Sequence, residues 1–216
     1  ALMFSGLLFL GALVSAWQLP RELSTQTVDA REREELRSRR VARAAGAMRL
    51  MRGLVGFMFF HMAFWLRDQK AGTAWFGFAV SLSALATMSG NAFSPYLRRK
   101  IKEDNMILAV LLTLTIIGFI TTYVGGITGG IILAASINCG AAMCRLAFES
   151  IVQTDAPDAN RARVFAKFET QFQMFWVCAG LFPVLFRLSG EVGFALAGMF
   201  TAIGMLWFVS QGRRPA

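Results

Sequence analysis

The sequence predicts an all-α, polytopic membrane bundle with about seven spanning segments, and three observations point to it. Apolar residues make up 56% of the 216, above the roughly 45–50% usual for soluble domains. The charges are confined: the 22 Lys and Arg and 13 Asp and Glu leave Ala1–Pro20, Ala71–Tyr96, Asn105–Cys144 and Thr170–Phe186 wholly uncharged. A soluble core needs no such runs, whereas a spanning helix takes about 20 apolar residues. The basic residues also alternate. Nineteen of the 22 fall on one side of the alternating connections and three (Arg67, Lys70 and Arg187) on the other.

Taken in order, residues 1–17 form an apolar segment ended by Pro20. It lacks the basic start of a signal peptide and opens inside an apolar run, so it is read as the end of a preceding transmembrane helix. Residues 18–47 are a connector rich in Arg and Glu, with no apolar face large enough to fold alone. The Glu35–Arg39 spacing supports local helix through i,i+4 pairing. A six-helix bundle follows over residues 48–210, with helices expected at about Met48–Leu66, Gly72–Ala92, Met106–Thr122, Ile127–Ala147, Phe165–Phe186 and Val192–Val209. The run Asn105–Cys144 is too long for one crossing, and Tyr123-Val124-Gly125-Gly126 divides it. Residues 211–216 are a short basic tail. Under the positive-inside rule the side with nineteen basic residues is cytoplasmic, and so is the C-terminus.

The net charge of +9 and pI near 10.5 would also suit a nucleic-acid binder. The arginines lie between apolar runs, with no groove-binding module, so topology explains them and no nucleic-acid partner is expected. Cys139, Cys144 and Cys178 lie inside apolar segments without C-x-x-C spacing, and His61 is the single histidine. Neither a metal set nor a cofactor is implied. No nucleophile–base pairing, P-loop or H-E-x-x-H motif is present, so an enzyme is not expected.

One segment, a connector and six more helices resemble the second half of a major facilitator superfamily transporter, in particular bacterial drug-efflux-like members. Two local patterns add to the resemblance. Gly90 and the Arg98-Arg99 pair stand where that family's G-x-L-x-D-R-x-G-R-[RK] loop has its first Gly and its basic pair. Ser94, Pro95 and Leu97 replace the Asp, the following Arg and the second Gly. Glu149, Pro157 and Arg161-Ala162-Arg163 look like the family's E…P…R-G-R loop, with Ala162 for Gly. The resemblance implies a secondary active transporter that moves a small molecule by alternating access, in the efflux direction. Its implied setting is a bacterial plasma (inner) membrane, with a coupling proton among the possible partners and an N-terminal six-helix half as the missing one. The alternative is a non-transporting membrane scaffold or assembly subunit.

Polar groups at membrane depth are functional candidates by default. Asn138, mid-helix, either faces a midplane cavity or bonds a neighbouring helix. His61, among Phe59, Phe60 and Phe64, either lines that cavity or packs against a backbone carbonyl. Gln171 and Gln173, two apart, point to different faces, so at most one meets a pathway. Arg145 and Glu149, four apart, share a face and suit a cytoplasmic gate with Arg161 or Arg163. Small-residue stripes (Gly126, Gly130 and Ala134; Ser136, Gly140 and Cys144; Gly193, Ala197 and Thr201) mark close helix seams.

Overall fold

The computed structural model describes residues 38–69, 72–155 and 161–213. The first expected segment (1–17), connector residues 18–37 and tail residues 214–216 lie outside them. The described residues form six helices: α1 Arg39–Asp68, α2 Gly72–Arg98, α3 Glu103–Val124, α4 Gly126–Asp155, α5 Arg161–Leu185 and α6 Gly190–Arg213.

Each helix runs past the apolar stretch that announces it. α1 begins where the Ser38 hydroxyl caps it by accepting from the Val41 N–H at 3.2 Å, a standard N-terminal device. The alanine-rich turns that follow favour helix and bury Val41, Ala44, Ala45 and Ala47, so α1 reaches back into the stretch read as connector. α2 continues through Pro95 to Arg98, and α4 runs on to Asp155. The α3–α4 junction falls where the sequence breaks. Gly125 and Gly126 both have positive φ, 65° and 72°, a conformation that costs glycine little and other residues more. The Gly125 N–H closes α3 on the Thr121 carbonyl at 2.8 Å.

Four helical stretches are long and apolar enough to cross a membrane: Thr73–Arg98, Glu103–Val124, Gly126–Asp155 and Gly190–Gly212. Their outward faces expose Leu85, Met88, Ile116, Ile120 and Leu206, as a hydrocarbon solvent allows. α1 and α5 are as long but more polar, with Arg49 and Arg52 on one and Glu169, Gln171 and Gln173 on the other. The two helices pack together and pair those groups: Arg49 donates to the Gln171 amide oxygen at 2.9 Å, and Arg52 to Glu169 at 3.2 Å.

The four most extensive helix pairings have an internal symmetry, which the next, α3 with α4 against its weaker counterpart α1 with α6, does not share. The most extensive pairings are α1 with α5, α2 with α4 and α3 with α6, followed by α1 with α4. Exchanging α1, α2 and α3 for α4, α5 and α6 turns this set into itself. Short connections make successive helices antiparallel, so α1 and α4 run in opposite directions and the two triplets are inverted relative to each other. The second helix of each triplet also carries a proline in its last turn, Pro95 or Pro183.

Close approach sets these pairings. A Cβ on Gly118 of α3 would lie 2.6 Å from the Gly198 Cα of α6, and one on Gly90 of α2 would lie 2.5 Å from the Cys139 carbonyl oxygen of α4. The expected stripes behave likewise. Gly130 lies under Phe194, Met62 and Trp65, Gly140 under Val110 and Leu114, and Gly193 under His61. α1 and α4 are buried along most of their length and form the centre of the bundle.

Candidate functional site

Because α1 and α2 touch little, a groove opens between them with α4 as its floor. Two cavities run along it, of about 230 and 560 Å³, and share Val55, Thr87 and Asn138. The inner part is apolar, lined by Met58, Met62, Phe76 and Ala79. Toward the end of the bundle where α1 starts, the lining becomes polar, with Arg52, Asn91, Arg145 and Glu149. Asn138 stands where the two parts meet. Its amide donates to the Ala134 carbonyl one turn back at 2.9 Å, so its bond lies within α4 and the group borders the groove.

The polar end continues around α4 to α5 through a further cavity of about 480 Å³, lined by Arg145, Glu149, Gln153 and Glu169. Arg145 pairs with Glu149 at 2.9 Å, as the i,i+4 spacing requires, and faces Glu169 of α5 at 3.8 Å. Glu169 also accepts from Arg52 at 3.2 Å and from the Gln173 amide at 3.0 Å. One carboxylate therefore joins α1, α4 and α5. The Arg145 and Glu169 side chains are 47% and 38% exposed. Pairs this wet are worth about 0–1 kcal/mol each, few enough to break and re-form during a conformational change.

A second network at the same end is more enclosed. Arg40 of α1 reaches Asp104 at 2.7 Å, Asp155 at 3.0 Å and Glu103 at 3.2 Å, and Arg43 also pairs with Asp104. Burial of the Arg40 guanidinium disfavours its charge, but the hydrogen bonds and charges of Asp104 and Asp155 outweigh this and raise its pKa above the ordinary arginine value. Arg98 donates to the Ser150 hydroxyl at 2.7 Å, and Ser150 in turn donates to Glu103 at 2.9 Å. This network ties the starts of α1 and α3 to the ends of α2 and α4.

The candidates read from the sequence thus separate. Asn138, Arg145 and Glu149 meet on the groove. Gln171 turns to Arg49, and Gln173 is exposed beside Glu169. His61 is buried away from the groove, stacked on Phe57 at 5.6 Å and set edge-on to Phe194 at 5.9 Å, and its Nε2 has no hydrogen-bond partner among the described residues. Gly90 lies at the α2–α4 contact, Arg98 enters the enclosed network, and Arg99 is exposed. Arg161 and Arg163 lie on α5, their side chains outside the described part. Glu169, Arg40, Asp104 and Asp155 were not singled out from the sequence. The Arg40 partners lie 63 to 115 residues away, beyond any local spacing. The i,i+4 relation of Glu169 to Gln173 was the one available signal. Among the described residues no group of His, Cys, Asp and Glu could hold a metal ion.

No family model matches the chain, and no solved structure matches it. The chain is similar to an uncharacterized protein of Mycobacterium leprae, 22% identical over 157 residues. The match covers 70% of this chain and 27% of that protein's length.

Proposed function

We propose that the chain is one bundle of a secondary active transporter of the major facilitator type, which moves a small molecule across a bacterial plasma membrane by alternating access. The inverted arrangement of α1–α3 and α4–α6 carries this reading, because paired three-helix repeats around a central pathway characterise such bundles. The groove along α1, α2 and α4 then faces a second, N-terminal six-helix bundle, with Asn138 beside the substrate. The match to a small share of a much longer relative agrees with a two-bundle protein. The end that holds Arg40, Arg98 and Arg145 is cytoplasmic by the positive-inside rule, and so is the C-terminus.

On this reading the two charged networks do different work. The enclosed one around Arg40 keeps the bundle rigid, while the wetter contacts of Arg145 and Glu169 open and close the cytoplasmic mouth of the groove. Efflux is the proposed direction, and a proton is the proposed coupling ion.

The test uses cells that express the protein with Asn138→Ala or Arg145→Ala, measuring accumulation of a panel of lipophilic fluorescent dyes. Loss of dye efflux at normal protein abundance supports transport. Unchanged accumulation with altered abundance would point to the scaffold role instead. Detection of the native protein in source-cell membranes adds a size criterion: a species about twice the 23.8 kDa of this chain is expected for two bundles.

A further inference from the structure

A second groove lies on a different side of the bundle, between α5 and α6 over α1, and belongs to neither charged network. It encloses about 690 Å³ and is lined almost wholly by apolar and small groups. Gly46, Gly53 and Gly204 sit in close contacts along it, against Trp207, Ala179 and Leu50, and Phe57, Phe182 and Trp207 wall its two ends. Along α1 it extends from Gly46 to Phe57, about 16 Å at 1.5 Å per residue. That is close to half of a hydrocarbon core about 30 Å thick, the depth of one leaflet.

Its one charged lining residue is Arg49, near the end of the groove closest to the start of α1. Arg49 bonds Gln171, one turn before the groove residue Phe175 on α5, so its guanidinium is drawn toward the membrane surface as snorkelling requires. Arg40, Arg43, Arg52, Arg98 and Arg145 all face carboxylates. Among the described residues Arg49 instead donates to the neutral Gln171 amide oxygen and pairs with no carboxylate. Trp207 lies at the same end, as interfacial tryptophans do. A one-leaflet apolar slot with an uncompensated cation and an indole at its surface end is complementary to a single ligand chemistry, an acyl chain bearing an anionic phosphate.

We infer that this groove binds one acyl chain of an anionic glycerophospholipid from the leaflet at the Arg-rich end, with the lipid phosphate taken by Arg49. A guanidinium accepts a phosphate through paired, charge-assisted hydrogen bonds, and Gln171 holds it in place for that contact. The site does not depend on transport and would stand if the protein moved nothing.

The test is native mass spectrometry of the protein purified in detergent and titrated with dimyristoyl phosphatidylglycerol or with phosphatidylcholine of the same chains. Both lipids present a phosphate, but the choline cation cancels its charge in the second, so the wild type should retain the first about tenfold more tightly, the worth of about one net unit charge beside Arg49. Arg49→Gln should abolish that preference, and Arg49→Lys should keep most of it, which separates lost charge from lost folding. Cys178→Trp, at an exposed position lining the groove, should weaken both lipids by filling the slot. Equal retention of the two lipids by the wild type overturns the inference. So does a phosphatidylglycerol preference that survives in a folded Arg49→Gln protein.

Discussion

Gly90 and Gly77 lie on the same helix and make opposite predictions. Nothing stands within 4 Å of a Cβ placed on Gly77. Gly77→Ala should therefore gain the helix propensity of alanine over glycine, about 0.8–1 kcal/mol. A Cβ on Gly90 would meet the Cys139 carbonyl oxygen at 2.5 Å and the Ala142 Cβ at 3.0 Å. The nearest atom is backbone of α4 and has no side-chain torsion by which to retreat, so α2 and α4 must separate. Overpacking of this kind costs about 1–3 kcal/mol, which outweighs the propensity gain. The propensity gain is common to both, so the two single variants should differ by the overpacking alone, about 1–3 kcal/mol, with Gly90→Ala the less stable. At roughly 2–4 °C per kcal/mol for a chain of this size, thermal denaturation in detergent should resolve them easily. If Gly90→Ala melted at or above Gly77→Ala, the close α2–α4 contact would be wrong. The result would also decide whether the motif glycine acts through packing, since a purely gating role would leave the melting temperature unmoved.

Other predictions follow from the charged networks, the turn and the thiols. Arg40→Gln leaves Asp104, Asp155 and Glu103 with fewer counter-charges and should destabilise the bundle by about 2 kcal/mol, with Arg40→Lys restoring part of it in the same melt. Glu169→Gln should cost about 0–2 kcal/mol in stability, about 0–1 for each of its pairs with Arg52 and Arg145, yet abolish dye efflux; an unchanged efflux rate would remove it from the gate. Gly126→Ala forces a side chain into the left-handed region and should lower stability by about 1 kcal/mol, measured by the same denaturation. Cys178 is exposed and Cys144 buried, so a membrane-permeant maleimide should label Cys178 in the folded protein and reach Cys144 only after denaturation, as peptide mass mapping would show.

The spanning helices were legible because charge and apolar length report the solvent directly. Their ends were less so. Hydropathy marks where hydrocarbon stops, whereas a helix stops where its backbone bonds fail. α1 accordingly starts at Ser38 and Arg39 rather than near Met48, and α4 continues from Ala147 to Asp155. The Gly125-Gly126 break was readable because two consecutive glycines mark a backbone need rather than a solvent preference. Within the site, Arg145 with Glu149 was readable from a four-residue spacing. The hub at Glu169 was not, because two of its partners come from α1 and α4, and the pairing of distant helices leaves no periodicity in the chain. His61 shows the converse limit: its position in an apolar helix allowed either a pathway or a packing role. Only the stacking on Phe57, the edge-on contact with Phe194 and the nearness of Gly193 show that its ring sits in an aromatic nest.

The alternating-access account is tested most directly by placing a single cysteine at Asn138, with Cys139, Cys144 and Cys178 replaced by Ser, and adding a membrane-impermeant thiol reagent to oriented membrane vesicles. The account predicts labelling from both faces, with the two rates shifting in opposite directions when a transported dye is added. Labelling from one face alone, or from neither, would contradict it.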